Sequence, residues 1–176
     1  MSIRKFFLCG CLEGKFFMKI KIICVGKLKE KYLTDGIAEY CKRIGRFAKV
    51  EITELSDEKI PDNPSDAICE RILNTEGDKI LSKLGKDEYV IALCVEGKLM
   101  SSEELAEKIA SVTLMGNNTV TFIIGGSLGL ADSVKSRADF RLSFSRMTFP
   151  HQLMRLILTE QVYRAFKING NEQYHK

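Results

Sequence analysis

Two nearly continuous apolar runs constrain the fold of this chain more than any other feature. They occupy residues 88–95 and 119–124, and each is flanked by polar residues or glycine. Short unbroken runs of this kind are typical of parallel strands covered on both faces, because a strand with one wet face alternates between apolar and polar residues. The runs therefore predict a sheet that is buried between two layers of helices.

Strand and helix patterns alternate along the rest of the chain. The remaining strands are predicted at residues 19–25, 49–55 and 141–144, and the helices at 28–44, 65–84, 101–115, 131–137 and 150–168. Ser65 is a predicted N-cap for the second helix, and Ser101 and Glu104 form a capping-box pattern at the start of the third. The first helix has an apolar side made of Leu28, Tyr32, Ile37, Tyr40 and Ile44. This alternation predicts an α/β fold with a mainly parallel sheet and helices on both faces.

The chain of 176 residues has the length of one domain with a substantial core. No repeat or linker divides residues 18–176, so we expect a single domain there. Residues 1–17 begin like a secretion signal, but their apolar stretch is only about seven residues long, at the lower limit for a signal core. We expect residues 1–17 to be an N-terminal extension, either disordered or upstream of a natural start at Met18.

Charge and cysteine usage narrow the function classes. Residues 134–176 hold eight Lys or Arg against three acidic residues, whereas residues 18–133 hold sixteen against nineteen. The basic end favours an anionic partner such as RNA or a nucleotide, although a solvated basic face has the same composition. The six cysteines lack the paired spacing of a zinc site or disulfide framework, and no run approaches the ~20 apolar residues of a membrane span. We expect a reduced, cytoplasmic protein without a metal or membrane partner.

The segment 144–155 has the clearest potential for ligand chemistry. Residues 144–149 form a loop between a predicted strand and a helix, at the edge where open α/β folds bind ligands. Its hydroxyls and apolar side chains suit an adenine and a sulfur-bearing chain better than a polyphosphate, and no GxxxxGK[ST] motif is present. His151 and Arg155 lie four residues apart on one helix face, which pairs a titratable imidazole with a fixed positive charge. A capping or packing role for His151 stays open.

The glycine-rich run 125–129 follows a buried strand. Its spacing differs from the dinucleotide fingerprint. A close approach of backbone to ligand and a plain tight turn both explain the run.

The final predicted helix is apolar around most of its circumference. Its apolar residues are Leu153, Met154, Leu156, Ile157, Leu158, Val162, Phe166 and Ile168. A helix of this kind is covered on nearly all sides. We therefore expect a homodimer formed through it, with burial inside a single monomer as the alternative.

Four motifs follow one another in the second half of the chain: FIIGGSLG at 122–129, LSFSRMTFPH at 142–151, EQVYRAFKI at 160–168 and YHK at 174–176. Together they resemble the RlmH family, whose members methylate N3 of a pseudouridine in large-subunit (23S) ribosomal RNA. The resemblance covers residues 18–176. It implies a SPOUT-type fold with a C-terminal trefoil knot, a dimer, and S-adenosyl-L-methionine as the cofactor. Carried over by position, the cofactor contacts are Leu93, Gly125, Phe144, Ser145, Arg146, Met147, Thr148 and Phe149.

The reaction implied by this resemblance requires loss of the N3 proton and stabilisation of the resulting negative charge. We expect Arg155 to stabilise that charge and His151 to position or accept the proton. The residues expected to meet the RNA, or the partner subunit's site, are Arg164, Tyr174, His175 and Lys176. Recognition is expected to require an assembled ribosome.

Two other classes stay open on the residues alone. A Rossmann-like nucleotide-binding protein has the same alternation of strands and helices, but the dinucleotide fingerprint is absent. A non-catalytic ribosome-binding dimer would share the basic C-terminal segment and would show no affinity for S-adenosylmethionine.

Overall fold

The fold is a five-stranded parallel sheet with helices on both faces. A computed structural model describes residues 18–172. The strands are β1 (Lys19–Val25), β2 (Lys49–Leu55), β3 (Glu88–Leu99), β4 (Thr119–Ile124) and β5 (Phe140–Ser143), in the order β2-β1-β4-β3-β5. The helices are α1 (Lys31–Ile44), α2 (Asp66–Leu81), α3 (Ser102–Leu114), α4 (Asp132–Arg137) and α5 (His151–Asn169). Every strand pairing is parallel, which confirms the predicted α/β class.

Two helical layers cover the sheet. Ile20, Ile22 and Cys24 of β1 face the layer that contains α1, α3 and α5. The alternate residues Ile23 and Val25 face the layer that contains α2 and α4. Because the central strands are covered on both sides, their sequences read as continuous apolar runs rather than as alternating ones.

Side-chain caps start two of the helices where the sequence predicts them. Ser65 Oγ accepts a hydrogen bond from the Ile68 amide at the start of α2. At α3, the Glu104 amide donates to Ser101 Oγ at 3.2 Å, and the Ser101 amide donates to Glu104 Oε2 at 2.7 Å. The predicted capping box is therefore confirmed.

The start of α1 differs from the prediction. The helix begins at Lys31 rather than at Leu28, and the apolar face assigned to it is partly wrong, because Tyr32 is 68% exposed while Leu33 is buried. Hydrogen bonds from distant residues hold the preceding loop: the Leu28 amide donates to Glu54, and the Lys29 amide donates to Gln152. These contacts keep residues 28–29 out of the helix.

The last helix, α5, lies between α1 and α3 on one face of the sheet. Each of its residues is buried or half-buried. Leu156 packs so closely on α1 that a Cβ at Gly36 would lie 3.0 Å from its Cδ1 atom. One chain thus covers much of the helix, so the apolar circumference by itself does not require a second copy. The homodimer stays a prediction, as does the trefoil knot.

In the part of the chain that the structure describes, no helix is both long and apolar enough to cross a membrane. The expected N-terminal extension, residues 1–17, lies outside the described residues and stays a prediction.

Candidate functional site

A cavity of about 330 Å³ opens at the carboxyl ends of β3, β4 and β5. This volume is within the range of small-molecule sites, and the carboxyl edge is where open parallel sheets bind ligands. The residues that the sequence predicted for a cofactor and that line this cavity are Leu93, Gly125, Phe144, Ser145, Met147, Thr148 and Phe149. His151 lies on the same wall. The tertiary structure therefore brings together three segments that are far apart in the chain.

The glycine-rich run forms one wall of the cavity as a tight turn. The Gly129 amide donates to the Gly126 carbonyl at 3.1 Å, and Gly129 has a φ of +92°. A Cβ at Gly125 would lie 2.3 Å from the Gly129 carbonyl oxygen, so a side chain cannot be accommodated there. The run is therefore a tight turn whose residues line the cavity, and its close approach to a ligand stays a prediction.

A bulge in β3 forms another wall of the cavity. Leu93 and Lys98 both align with Leu142 of β5, so residues 94–97 loop out of the sheet. This loop contributes Cys94, Val95 and Glu96 to the cavity, none of which sequence reasoning identified. Gly97 was the available signal, because glycine within a strand often marks a bulge or a close backbone contact. Here a Cβ at Gly97 would lie 2.6 Å from the Leu142 carbonyl carbon.

An ion pair lies on the cavity wall. Lys135 Nζ of α4 is 2.7 Å from Glu96 Oε1 of the β3 bulge, and both residues line the cavity. The hydrogen bond from Lys135 holds the pKa of the Glu96 carboxyl below its usual value. The lysine charge is thus already matched by a carboxylate, which makes this wall a poor site for a polyphosphate.

The loop 144–149 is shaped by serine hydroxyls. Ser143 Oγ donates to the Ser145 carbonyl at 2.9 Å, and the Met147 amide donates to Ser145 Oγ at 2.9 Å. Met147 lines the cavity although it is 72% exposed. Arg146 is exposed and is the one residue of this loop that does not line the cavity, so the structure separates it from the other predicted cofactor contacts.

His151 is the first residue of α5 and lies against the end of β1. A Cβ at Gly26 would be only 3.3 Å from His151 Nε2, and Gly26 has a φ of +86°. Burial lowers the pKa of His151, and the positive charges of Arg155 and Lys29 lower it further. The negative charge of Asp57 acts in the opposite direction, but the net pKa is lowered. A lowered pKa keeps the imidazole neutral at pH 7, and only the neutral ring can accept a proton.

Arg155 lies one helical turn after His151 and is 1% exposed. Its Nη2 donates to the carbonyls of Val25 at 2.9 Å and Gly26 at 2.7 Å. Its Nη1 is 2.6 Å from Glu54 Oε1. The guanidinium therefore joins α5 to the ends of β1 and β2, and it is absent from the cavity lining of the described chain. The expected contact between Arg155 and an RNA base stays a prediction.

Of the residues expected to meet RNA, only Arg164 lies within the described chain. It is half-buried on α5, and its Nε and Nη2 atoms donate to Glu160 at 3.0 and 2.5 Å. Tyr174, His175 and Lys176 lie outside the described residues.

No group of three or more His, Cys, Asp or Glu residues suited to a metal occurs within residues 18–172. Over the same residues, four cysteines are present as free thiols: Cys24, Cys41, Cys69 and Cys94. Burial raises the pKa of the Cys24 thiol to about 12, which makes it a poor nucleophile.

Comparison with known proteins places this geometry in a family. Residues 18–175 match the family described as predicted SPOUT methyltransferase. The chain is 60% identical over 159 residues to ribosomal RNA large subunit methyltransferase H of Streptococcus thermophilus, spanning 90% of this chain and 100% of that protein. It is 58% identical over the same shares to the protein of that name from Streptococcus uberis.

A solved structure supports the fold. The chain resembles the structure of a probable methylase family protein from Haemophilus influenzae Rd KW20 with a TM-score of 0.54 at 15% identity, covering 92% of this chain and 72% of that one. The family match spans residues 18–175, and the identity to these relatives extends over their full length. The chain therefore belongs to the SPOUT methyltransferases, and within them to the ribosomal RNA large subunit methyltransferase H (RlmH) family.

Proposed function

We propose that this protein transfers a methyl group from S-adenosyl-L-methionine to N3 of a pseudouridine in 23S ribosomal RNA of assembled ribosomes. The observation that carries the proposal is the cavity at the carboxyl edge, which is walled by the loop 144–149 and has His151 beside it. The names of the relatives support large-subunit ribosomal RNA as the substrate. A ribosomal substrate implies action in the cytoplasm.

The cavity suits S-adenosylmethionine in its chemistry. Apolar side chains from three segments, among them Leu93, Leu130 and Phe149, offer surfaces for an adenine ring. Ser143, Ser145 and Thr148 add hydroxyls that can bind a ribose or an amino acid group. When bound, this cofactor supplies an electrophilic methyl group on a positively charged sulfur.

The role of the protein in such a transfer is to hold donor and acceptor in line, which can supply much of the rate. We assign proton acceptance at N3 to His151, since its lowered pKa keeps the ring neutral and the ring lies on the cavity wall. We assign Arg155 a positioning role as well as the predicted charge stabilisation. Its guanidinium holds the Val25 and Gly26 carbonyls directly beside His151.

The RNA would reach the site from its open rim. We propose that Arg164, Tyr174, His175 and Lys176 contact RNA and that a homodimer brings the terminal three to the partner subunit's cavity. The half-buried outer side chains of α5 are compatible with a second copy packing there.

The test is transfer of labelled methyl from S-adenosylmethionine to ribosomes that lack the modification, followed by mapping of the methylated nucleotide. We expect incorporation into 23S RNA of ribosomes and much slower incorporation into naked RNA. Ribosome binding without methyl transfer or affinity for S-adenosylmethionine would instead identify a non-catalytic binding dimer. Methylation of a different nucleotide would refute the assigned substrate while leaving the reaction class standing.

A further inference from the structure

The loop between β1 and α1, residues 26–30, lies directly beside the candidate site. Its first residue, Gly26, is packed against the His151 imidazole. Further along, the Lys29 amide donates to Gln152 Oε1 of α5 at 3.1 Å. The loop therefore contacts the first turn of α5, which carries His151, although it is more than a hundred residues away from α5 in the chain.

This loop and the first turn of α1 carry a cluster of exposed positive charges. Lys27, Lys29 and Lys31 are all exposed, and Glu30 is the one acidic residue among them. The ammonium of Lys29 is near enough to contribute to lowering the pKa of His151, after burial and the charge of Arg155. The loop therefore places exposed positive charge close to His151. Asp57 of the neighbouring loop opposes it there.

An exposed aromatic ring stands next to these lysines. Tyr32 is 68% exposed, whereas the side of α1 that faces the core uses Leu33 and Ile37. The ring is thus not required for the core of the described chain. Exposed aromatic residues interleaved with lysines are the combination that binds single-stranded RNA, because the lysines meet phosphates and the ring stacks on an unpaired base.

The backbone beneath this surface is held firmly. Arg155 binds the Val25 and Gly26 carbonyls, and Glu54 Oε1 accepts hydrogen bonds from both Arg155 Nη1 at 2.6 Å and the Leu28 amide at 3.0 Å. A fixed backbone reduces the ordering cost of binding and sets the distance between the lysines and His151.

We propose that Lys27, Lys29, Lys31 and Tyr32 form an RNA-binding surface, here called the basic loop surface. It would contact the phosphates and one unpaired base of the RNA that flanks the methylated nucleotide. The proposal rests on the proposed function, since it names the surface by which the same site engages its RNA substrate.

The test uses full-length protein in which Lys27, Lys29 and Lys31 are all changed to Gln. We expect the KM for ribosomes to rise roughly tenfold or more, with S-adenosylmethionine affinity little changed. Because the Lys29 charge helps to lower the pKa of His151, kcat is compared at about pH 8, where the ring is neutral with or without that charge and kcat should be little changed. We also expect the slope of log(kcat/KM) against log salt to become shallower by about 2, because up to three phosphate contacts are lost.

The matched control changes Lys49, Lys83 and Lys86 to Gln. These lysines are also exposed, but they lie at the opposite, amino-terminal edge of the sheet, and the variant has the same net charge. An equal rise in KM in the control would show that only net charge matters, and would overturn the proposal. So would an unchanged KM in the loop variant.

Two variants of Tyr32 distinguish base stacking by its ring from the charge effect of the lysines. Tyr32→Phe keeps the ring, so we expect a KM for ribosomes near that of the unaltered protein. Tyr32→Ala removes the ring, and we expect roughly tenfold weaker binding. Equal KM values for the two variants would remove Tyr32 from the surface. A change of oligomeric state in Tyr32→Ala, measured by sedimentation, would assign the ring to a contact between copies and overturn its RNA role.

Failure of the two proposals can be told apart. If the unaltered protein transfers no methyl group to ribosomes, the proposed function fails. If it does so and the loop variant is indistinguishable from the control, only the basic loop surface fails.

Discussion

Two ion pairs, each with a buried cation, lie at opposite ends of the sheet, and they differ in what they hold. Near the amino ends of the strands, Lys21 pairs with Glu88, and the side chains are 9% and 13% exposed. At the carboxyl ends, Arg155 pairs with Glu54, and the side chains are 1% and 36% exposed. The first pair joins two regular strands, whereas the second joins a helix to strand ends and an irregular loop.

Both side chains of the Lys21–Glu88 pair, at the amino ends of the strands, make further hydrogen bonds. Lys21 Nζ also donates to the Lys83 carbonyl at 2.5 Å, and Thr121 Oγ1 donates to Glu88 Oε2 at 2.8 Å. Burial raises the pKa of the Glu88 carboxyl, but the hydrogen bonds from Lys21 and Thr121 outweigh it, so the net pKa is lowered. A pair with this many partners is expected to matter for stability.

The Arg155–Glu54 pair, at the carboxyl ends of the strands, has fewer of its hydrogen-bonding groups satisfied. Arg155 Nε has no hydrogen-bond partner within the described chain, although the atom is buried. A buried donor without a partner costs free energy. Arg155 Nη2 donates to the Val25 and Gly26 carbonyls beside His151. Arg155 Nη1 donates to Glu54, which also accepts from the Leu28 amide in the loop that carries the basic loop surface. We infer that the buried Arg155 charge serves to position this loop rather than to add net stability.

The sharpest test of this contrast is His151→Gln, which keeps a polar side chain at the carboxyl edge. If His151 accepts the N3 proton, we expect kcat to fall by about 10²–10⁴-fold, with the free energy of unfolding little changed. Methyl transfer under single-turnover conditions and urea unfolding measure the two quantities. The pH dependence of kcat/KM provides a second check on the role of His151. Because the pKa of His151 is lowered below 6.5, the loss of activity on the acid side should occur below pH 6.5 and should disappear in the variant. Full activity in His151→Gln would contradict the assignment.

The next largest effect is expected from Lys21→Met at the amino-terminal edge. This change leaves the buried Glu88 carboxylate without its cation, so we expect the free energy of unfolding to fall by about 3 kcal/mol. The kcat of the folded protein should stay the same. The matched control is Lys19→Met on the same strand, whose pair with Glu51 is much more exposed and is worth about 1 kcal/mol or less. Equal stability losses in the two variants would contradict a special role for the buried pair.

Arg155→Lys tests the other side of the comparison. Lysine keeps the charge but lacks the fork, which binds the two carbonyls through Nη2 and Glu54 through Nη1 at the same time. We expect about a hundredfold loss of kcat, because small displacements of catalytic groups are costly, and a smaller stability loss than in Lys21→Met. Kinetics and urea unfolding of the same preparation provide the measurement. Arg43→Lys, at an exposed ion pair on α1, is the control. The contrast would break down if Arg155→Lys lost stability without losing activity.

The smallest expected effect is the pH dependence of the stability that the Lys21–Glu88 pair contributes. The pKa of Glu88 is lowered from 4.5 in the folded protein, so its unfolded state binds protons more readily. Its contribution to stability is therefore present above pH 4.5 and is lost as the pH falls through the lowered folded value. Urea unfolding from pH 6 downwards should show this loss in the unaltered protein and a weaker loss in Lys21→Met. Identical pH profiles would disprove the coupling.

Local patterns predicted most elements of the fold. The strands at 19–25 and 49–55 have the predicted bounds, and the caps at Ser65 and Ser101 are confirmed. These features depend on side-chain periodicity and on neighbours within a few residues, which a sequence displays directly. The loop 144–149 was likewise predicted to form a ligand site, because its position between a strand and a helix follows from the order of elements.

Other parts of the site could not be predicted in this way. The β3 bulge depends on how Leu93 and Lys98 align with β5, and the start of α1 depends on hydrogen bonds from Glu54 and Gln152. Neither partner lies near these segments in the chain. The full burial of Arg155 was also unforeseen, because an arginine on a helix normally reaches solvent.

The sequence by itself determined the class of fold, the order of its elements, the family and the loop that walls the candidate site. Only the tertiary structure decided which side chains meet around the cavity and which are turned away from it. Arg155 and Val25 are 130 residues apart in the chain, yet one hydrogen bond joins them. Periodicity reports the faces of each helix and strand, whereas contacts across this separation arise only when the packed sheet brings the ends of its strands together.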